Sequence, residues 1–363
     1  MKLQVTQENL NRALNSVSRI ANSRSTLPIL SNVLFKTIDN RLSIAATNLD
    51  IAITHYIGSK VKEEGTITLP ARLLQDFVSS LPSGVIDIEL EETKLHIKTD
   101  QYNSTINGTS AEEYPVMPAI NDGTTWNLQA QEFKKALQQV VFAASGDETR
   151  PVLTGIYLHS DGSKLFMAAT DSYRLAEKNL TTSKHELSLL IPANALTEIL
   201  RLITDSDEEI IVTNDEQQVQ FRIGDIELVT RLIEGKYPDY QKLIPQQFDS
   251  SAEVKRSEFT NIAKVSSLFA RENAGSITLK LDQDSQTISI HSIASQLGEN
   301  TASAPAKVSG SGEITLNSRY LLDALNAVGG EEVEFSFNGK LEPSVLRAVQ
   351  NKDYTHIIMP LKS

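Results

Sequence analysis

Two periodicities alternate along this chain. In six stretches apolar side chains recur every three to four residues, which places them on one face of a helix. The stripes are Leu10, Ala13, Leu14 and Val17; Leu73, Leu74, Phe77 and Val78; and Phe133, Leu137, Val140 and Val141. Leu196, Ile199, Leu200 and Ile203, then Ile262, Val265, Ser266 and Phe269, then Leu321, Leu322, Leu325 and Val328 complete the set. Helices are therefore expected over roughly 7–20, 71–80, 131–144, 193–203, 256–271 and 318–327, each burying its stripe in a core. Between them the period falls to two, as in Val85-Ile86-Asp87-Ile88-Glu89-Leu90 and Val219-Gln220-Phe221-Arg222-Ile223. Such alternation marks half-buried antiparallel strands.

These elements recur as a repeat of about 123 residues. The first helix of each copy begins near Gln7, Gln131 and Arg256, and the second at Pro70, Pro192 and Asn317. Each second helix follows a short apolar strand (66–70, 187–192 and 313–317). Proline or asparagine suits that boundary, where an amide donor is dispensable or a cap is wanted. The copies close alike, on Tyr114-Pro115-Val116-Met117-Pro118, on Tyr237-Pro238 running to Pro245, and on Tyr354 running to Pro360. Each copy reads as two rounds of strand, helix and several strands, with both helices on one side of the sheets: an α+β architecture. Three domains are expected, 1–120, 125–245 and 251–363, with linkers near Ile120–Thr125 and Gln246–Ser251.

The net charge of −12 argues at first against a polyanionic partner, but the charge is unevenly placed. The helical segments hold ten bases: Arg12, Arg19, Arg72, Lys134, Lys135, Arg201, Arg256, Lys264, Arg271 and Arg319. Six acids stand against them: Glu8, Asp76, Glu132, Glu198, Glu258 and Asp323. The helices thus carry +4 and the rest of the chain −16. A positive helical side fits either plain solvation or contact with nucleic-acid phosphates, which would be sequence-independent and sensitive to salt.

Catalytic chemistry is not written here. The absence of cysteine removes disulfides, thiolate zinc sites and a cysteine nucleophile together. His55, His96, His159, His185, His291 and His356 are scattered without metal-ligand spacing, and no nucleophile elbow, phosphate-binding glycine loop or His-Glu-x-x-His helix occurs. His185-Glu186 reads as a surface pair, Asp282 and Asp284 as a turn between strands, and Asp205–Glu209 as a solvated turn. No catalytic residue, metal or cofactor is expected. No apolar run reaches the roughly 18 residues of a membrane span, and Met1–Val5 turns polar at once, so a cytoplasmic protein with no membrane partner is expected.

Several segments in order carry a resemblance: Arg24-Ser25-Thr26-Leu27-Pro28-Ile29-Leu30, Thr170-Asp171-Ser172-Tyr173-Arg174-Leu175-Ala176, Tyr237-Pro238-Asp239-Tyr240 and Ile357-Ile358-Met359-Pro360-Leu361-Lys362. With the threefold repeat they make the chain resemble, over its whole length, the bacterial β sliding clamp family, the processivity subunit (beta) of DNA polymerase III. The resemblance implies three tandem copies of a DNA-clamp domain, with antiparallel sheets outside and two helices per domain lining the inner face of a ring. It implies a head-to-tail homodimer around double-stranded DNA, associated with the nucleoid and without enzymatic activity. The implied protein partners are the replicative polymerase α subunit, the clamp loader, other polymerases, mismatch repair proteins and ligase, all bound through short linear motifs.

The same resemblance assigns residues. A peptide pocket would be lined by Leu153, Thr170, Leu175, Pro238, Leu243, Ile357, Ile358, Met359, Pro360 and Leu361, with Pro343, Ser172 and Tyr173 beside it. Arg174 and Lys242 would supply polar contacts at its edge. DNA would meet Arg24 and Arg150 on loops and Arg72, Arg201 and Lys134 on helices; the dimer seam would use Ile106, Leu268 and Phe269. Two other readings stand beside this one: a peptide-binding scaffold with no nucleic-acid role, and an enzyme whose site carries no familiar motif.

Overall fold

The computed structural model of the protein describes residues 1–21, 27–182, 185–271, 274–294 and 298–361. Six α-helices occur among them: α1 (Gln7–Val17), α2 (Ala71–Ser80), α3 (Ala130–Val140), α4 (Ala193–Leu202), α5 (Arg256–Ala270) and α6 (Ser318–Ala327). Two of them begin on side-chain caps. Thr6 accepts the Asn9 amide at 3.3 Å ahead of α1, Asn317 accepts that of Arg319 at 2.9 Å ahead of α6, and Pro70 precedes α2. The expected stripes are buried in α1 and α3 except at Val141, which lies just beyond α3 and is half-buried. Two others are rotated. In α2, Ala71, Leu74 and Val78 face inward while Leu73 is 55% exposed. In α5, Phe259, Ile262, Ala263, Ser266 and Ala270 take the buried face, which leaves Val265 exposed and Phe269 half-buried.

The chain forms two compact units, residues 1–131 with 198–232, and residues 132–197 with 233–363. Neither matches a sequence repeat, because strands of successive repeats join one sheet. In the first unit, strand Ile51–Gly58 of the first repeat pairs antiparallel with Ile226–Arg231 of the second, from His55 opposite Ile226 to Ile51 opposite Thr230. The result is an eight-stranded sheet; a five-stranded sheet ending on Asn103–Asn107 completes that unit. In the second unit, strand Arg174–Thr182 pairs with Tyr354–Ile358 inside a nine-stranded sheet, alongside a four-stranded one edged by Gly298–Pro305. Joining the strands satisfies backbone groups that would otherwise be open edges.

The repeat persists down to single hydrogen bonds. Thr47 Oγ1 donates to the Ile51 carbonyl at 3.0 Å, and Thr170 Oγ1 to that of Arg174 at 2.6 Å. Each hydroxyl also accepts an amide, from Leu49 at 3.0 Å and from Ser172 at 3.1 Å. Asn48 Oδ1 and Asp171 Oδ1 accept the amides of Ile51 and Arg174 at 2.8 and 2.9 Å. The residue at each apex is left-handed without being glycine: Leu49 at φ 80° and Ser172 at φ 76°. Such a conformation costs on the order of 1 kcal/mol, and the surrounding bonds hold it in place.

Candidate functional site

In the second unit the end of strand Arg174–Thr182 packs into a buried apolar cluster, the floor of the candidate groove. Sheet register builds its floor: Leu175 lies opposite Ile357, and Ile357 opposite Val345, so three apolar side chains form a row across neighbouring strands. A short 3-10 turn, Pro151–Thr154, brings Leu153 against this row, and Ala168, Leu190, Tyr237 and Tyr240 complete the buried cluster. Val152 and Met359 pack on it while staying partly open. Leu243 and Tyr173, 51% and 63% exposed, present further apolar surface at the mouth. The last residues are pinned beside it: the Met359 amide donates to the Tyr173 carbonyl, and the Leu361 amide to that of Thr315, both at 2.8 Å.

Of the pocket residues named from sequence, Leu153, Leu175, Ile357 and Met359 join this cluster; others differ in their surroundings. Ile357 joins the cluster, whereas the equally buried Ile358 falls on the opposite side of the pleat. The Thr170 hydroxyl is spent within its own turn. Arg174 is not an edge residue. Its side chain is only 10% exposed, and it donates to Asp171 Oδ2 at 3.0 Å, to Asp323 Oδ2 at 2.6 Å and to the Phe142 carbonyl at 2.7 Å. Its guanidinium lies over the rings of Phe142 and Tyr320. Three of its five N–H donors are thereby engaged, and Arg174 braces the strand end against α6. Lys242 does stand at the rim, paired with Asp239 at 2.7 Å and largely exposed. Pro238 is exposed; Pro343, Pro360 and Leu361 are half-buried.

Sequence reading did not place Phe142, Tyr320 or Asp323 at the site, although Tyr320 and Asp323 sit three apart on one face of α6. It also passed over the layer beneath the groove. Tyr157 stacks on Tyr237 with centroids 5.0 Å apart, and the Tyr240 hydroxyl lies 2.8 Å from His159 Nε2. Burial first, and then the neighbouring Glu177 carboxylate, hold the Tyr240 hydroxyl well above its ordinary pKa. His356 is fully buried, with Nδ1 2.9 Å from the Tyr354 hydroxyl and its ring stacked on Phe142. Burial, reinforced by Arg174, lowers its pKa to about 3, so it is neutral.

The basic candidates fall in both units. Arg72 is exposed on α2, and Arg201 is half-exposed on α4, where it pairs with Glu198. Lys134 is half-buried on α3; Arg24 lies outside the described residues. Arg150 is exposed, but it is tied to the groove's turn, donating to Ser172 Oγ at 3.1 Å. At the expected seam, Leu268 is 52% exposed on α5 beside half-buried Phe269. Ile106 instead turns inward and is 6% exposed, so its strand offers a backbone edge in place of that side chain. Among the described residues, no group of three or more His, Asp or Glu is placed to hold a metal ion, and no helix is long and apolar enough to cross a membrane.

Three family models match the chain in tandem. They are the DNA polymerase III beta subunit N-terminal domain over residues 1–118, the central domain over 127–239 and the C-terminal domain over 241–362. The beta sliding clamp of Synechococcus elongatus is 33% identical, over 100% of this chain and 99% of its own length. That of Bacillus subtilis is 29% identical over 100% of both. The solved Bacillus subtilis clamp superposes with a TM-score of 0.95 at 29% identity, covering 100% of this chain and 99% of that one. The Pseudomonas aeruginosa DNA polymerase III beta subunit gives 0.94 at 26%, with 100% of both chains covered. Sheet-rich and built from three tandem clamp domains, the fold is that of a DNA sliding clamp. The chain belongs to the bacterial β sliding clamp family, the beta subunits of DNA polymerase III, and is a non-catalytic processivity factor for that polymerase.

Proposed function

We propose that the protein works as a head-to-tail homodimer closed into a ring around duplex DNA. Its three domains, 1–120, 125–245 and 251–363, would contribute two helices each to the lining. Twelve helices at about 10 Å each give a circumference near 120 Å and a diameter near 40 Å, which leaves room for a duplex and water. Topology then replaces affinity: the duplex cannot leave, and bases on the helices, Arg72, Arg201 and Lys134 among them, meet phosphates without reading sequence. The exposed Leu268 and half-buried Phe269 on α5, and the open strand edges at Asn103–Asn107 and Gly298–Pro305, support a seam between copies. The working place is the cytoplasm, at the nucleoid.

The groove is the docking site for short linear motifs of the polymerase α subunit, the clamp loader, other polymerases, mismatch repair proteins and ligase. The observation that carries this is the row Leu175–Ile357–Val345, walled by Leu153 and Tyr237 and open at Met359. Apolar anchors can enter such a groove while a polar rim stays wet, and a methionine wall adapts to varied side chains. The test is fluorescence anisotropy with a labelled peptide carrying the α-subunit motif. A variant lacking residues 359–363 should lose binding while remaining dimeric by light scattering; unchanged affinity would reject the groove.

A further inference from the structure

We infer that the first unit carries a second docking surface, a trough that takes a short segment of a partner protein bearing aromatic side chains and a carboxylate. The trough lies on one face of strands Asn32–Ile38, Arg41–Thr47 and Ile51–Gly58. Register identifies its counterpart in the next repeat. Leu34 pairs with Ala45 as Tyr157 does with Ala168, Lys36 with Ser43 as His159 does with Phe166, and Ala45 with Thr54 as Ala168 does with Glu177.

In the second unit the chain covers that face itself. Tyr237 stacks on Tyr157, Tyr240 meets His159 edge-on at 5.8 Å with its hydroxyl on the ring nitrogen, and Ile244 and Phe248 pack against the same cluster. The first repeat has Tyr114 in the place of Tyr237 but Met117 in that of Tyr240, and its floor has Ser43 for Phe166 and Thr54 for Glu177, with Tyr56 in the place of Asn179. An open trough of about 600 Å³ results, walled by the loop through Pro115, Val116 and Met117. Val116 is 94% exposed at its lip, an unusual place for a valine that nothing covers.

The chemistry of the occupant follows from what is missing. Ser43, Ala45 and Thr54 at its centre leave space for rings where the other repeat inserts its own tyrosines. Lys36 stands where His159 receives the Tyr240 hydroxyl; its side chain is exposed and makes no ion pair or hydrogen bond among the described residues. An ammonium there favours a carboxylate beside the ring, and Glu112 on the loop wall favours a basic residue farther along. The chain's own covering segment, 237–248 (YPDYQKLIPQQF), has this composition: two tyrosines three apart, an aspartate between them and a lysine after.

Methionine-methyl NMR on the full-length protein tests this, with that dodecapeptide as probe. The four methionines report separate places: Met117 walls the trough, Met359 flanks the groove, and Met1 and Met167 are buried elsewhere. The expected result is a saturable shift of Met117 while Met359 stays still. Lys36→Glu and Val116→Asp, both at exposed side chains, should each weaken binding by roughly threefold to tenfold. A shift confined to Met359, no shift of Met117 at millimolar peptide, or unchanged affinity in both variants would overturn the proposal. A Met117 shift that follows protein concentration without peptide would also overturn it, by making a second copy the occupant.

Discussion

Arg174 Nη1 donates to Asp323 Oδ2 at 2.6 Å, and this bond joins the lip of the groove to helix α6. Nε and Nη2 donate to Asp171 and the Phe142 carbonyl, and the plane lies over two rings, 5.2 Å from Phe142 and 4.6 Å from Tyr320. Only a rigid planar fork meets all of these partners at once. Removing Asp323 leaves a largely buried cation with Asp171 as its one remaining carboxylate among the described residues. Asp323→Ala should cost about 1–2 kcal/mol in urea denaturation, and Arg174→Lys should recover less than half of what Arg174→Ala loses. Stability within about 0.5 kcal/mol of the parent would mean that the brace carries no weight.

Below the groove, Tyr240 holds His159 with its hydroxyl. Tyr240→Phe keeps the ring packing and deletes one buried bond, so a loss of about 1–2 kcal/mol is expected. Thermal unfolding measures it; a variant as stable as the parent would show that His159 finds another partner.

Acid should weaken the fold before the carboxylates titrate. His55, buried with Nδ1 2.8 Å from Ser16 Oγ, has its pKa lowered to about 4, chiefly by burial and then by Arg12; His356 is lowered to about 3. Both are depressed below the unfolded value near 6.5, so the unfolded chain binds the extra protons. Their contribution is whole above pH 6.5 and is lost as pH falls toward 4 and then 3, at up to about 1.4 kcal/mol per pH unit for each. Denaturant midpoints between pH 7 and 4 should show this slope, and His356→Phe should flatten it. A profile level down to pH 4.5 would contradict the assignment.

Leu268 and Phe269 are the side chains through which α5 would meet a second copy. Phe269→Asp places a charge in that surface, and light scattering should then give the mass of one chain. A persistent dimer would remove these residues from the seam.

Much of the fold was legible because binary patterning is local. All six helices and the threefold repeat follow from apolar spacing, and the helix limits differ by a few residues. What escaped depends on long-range register. The pairing of Arg174–Thr182 with Tyr354–Ile358 joins segments about 180 residues apart, and it decides that Ile357 faces the groove while Ile358 does not. The partners of Arg174 escaped for a related reason: its acceptors on α6 and at Phe142 are remote in sequence. Ile106 reads as an edge residue by position, yet its side chain falls on the core side of its strand.

The central claim is topological linkage to DNA, and retention on a circle measures it most directly. The protein is loaded onto nicked circular duplex by a cognate clamp loader with ATP, isolated by gel filtration, and the circle is then cut once. Retention on the circle that vanishes on linearisation is the expected result. Retention that survives the cut would mean direct adhesion to DNA and would contradict the encircling ring.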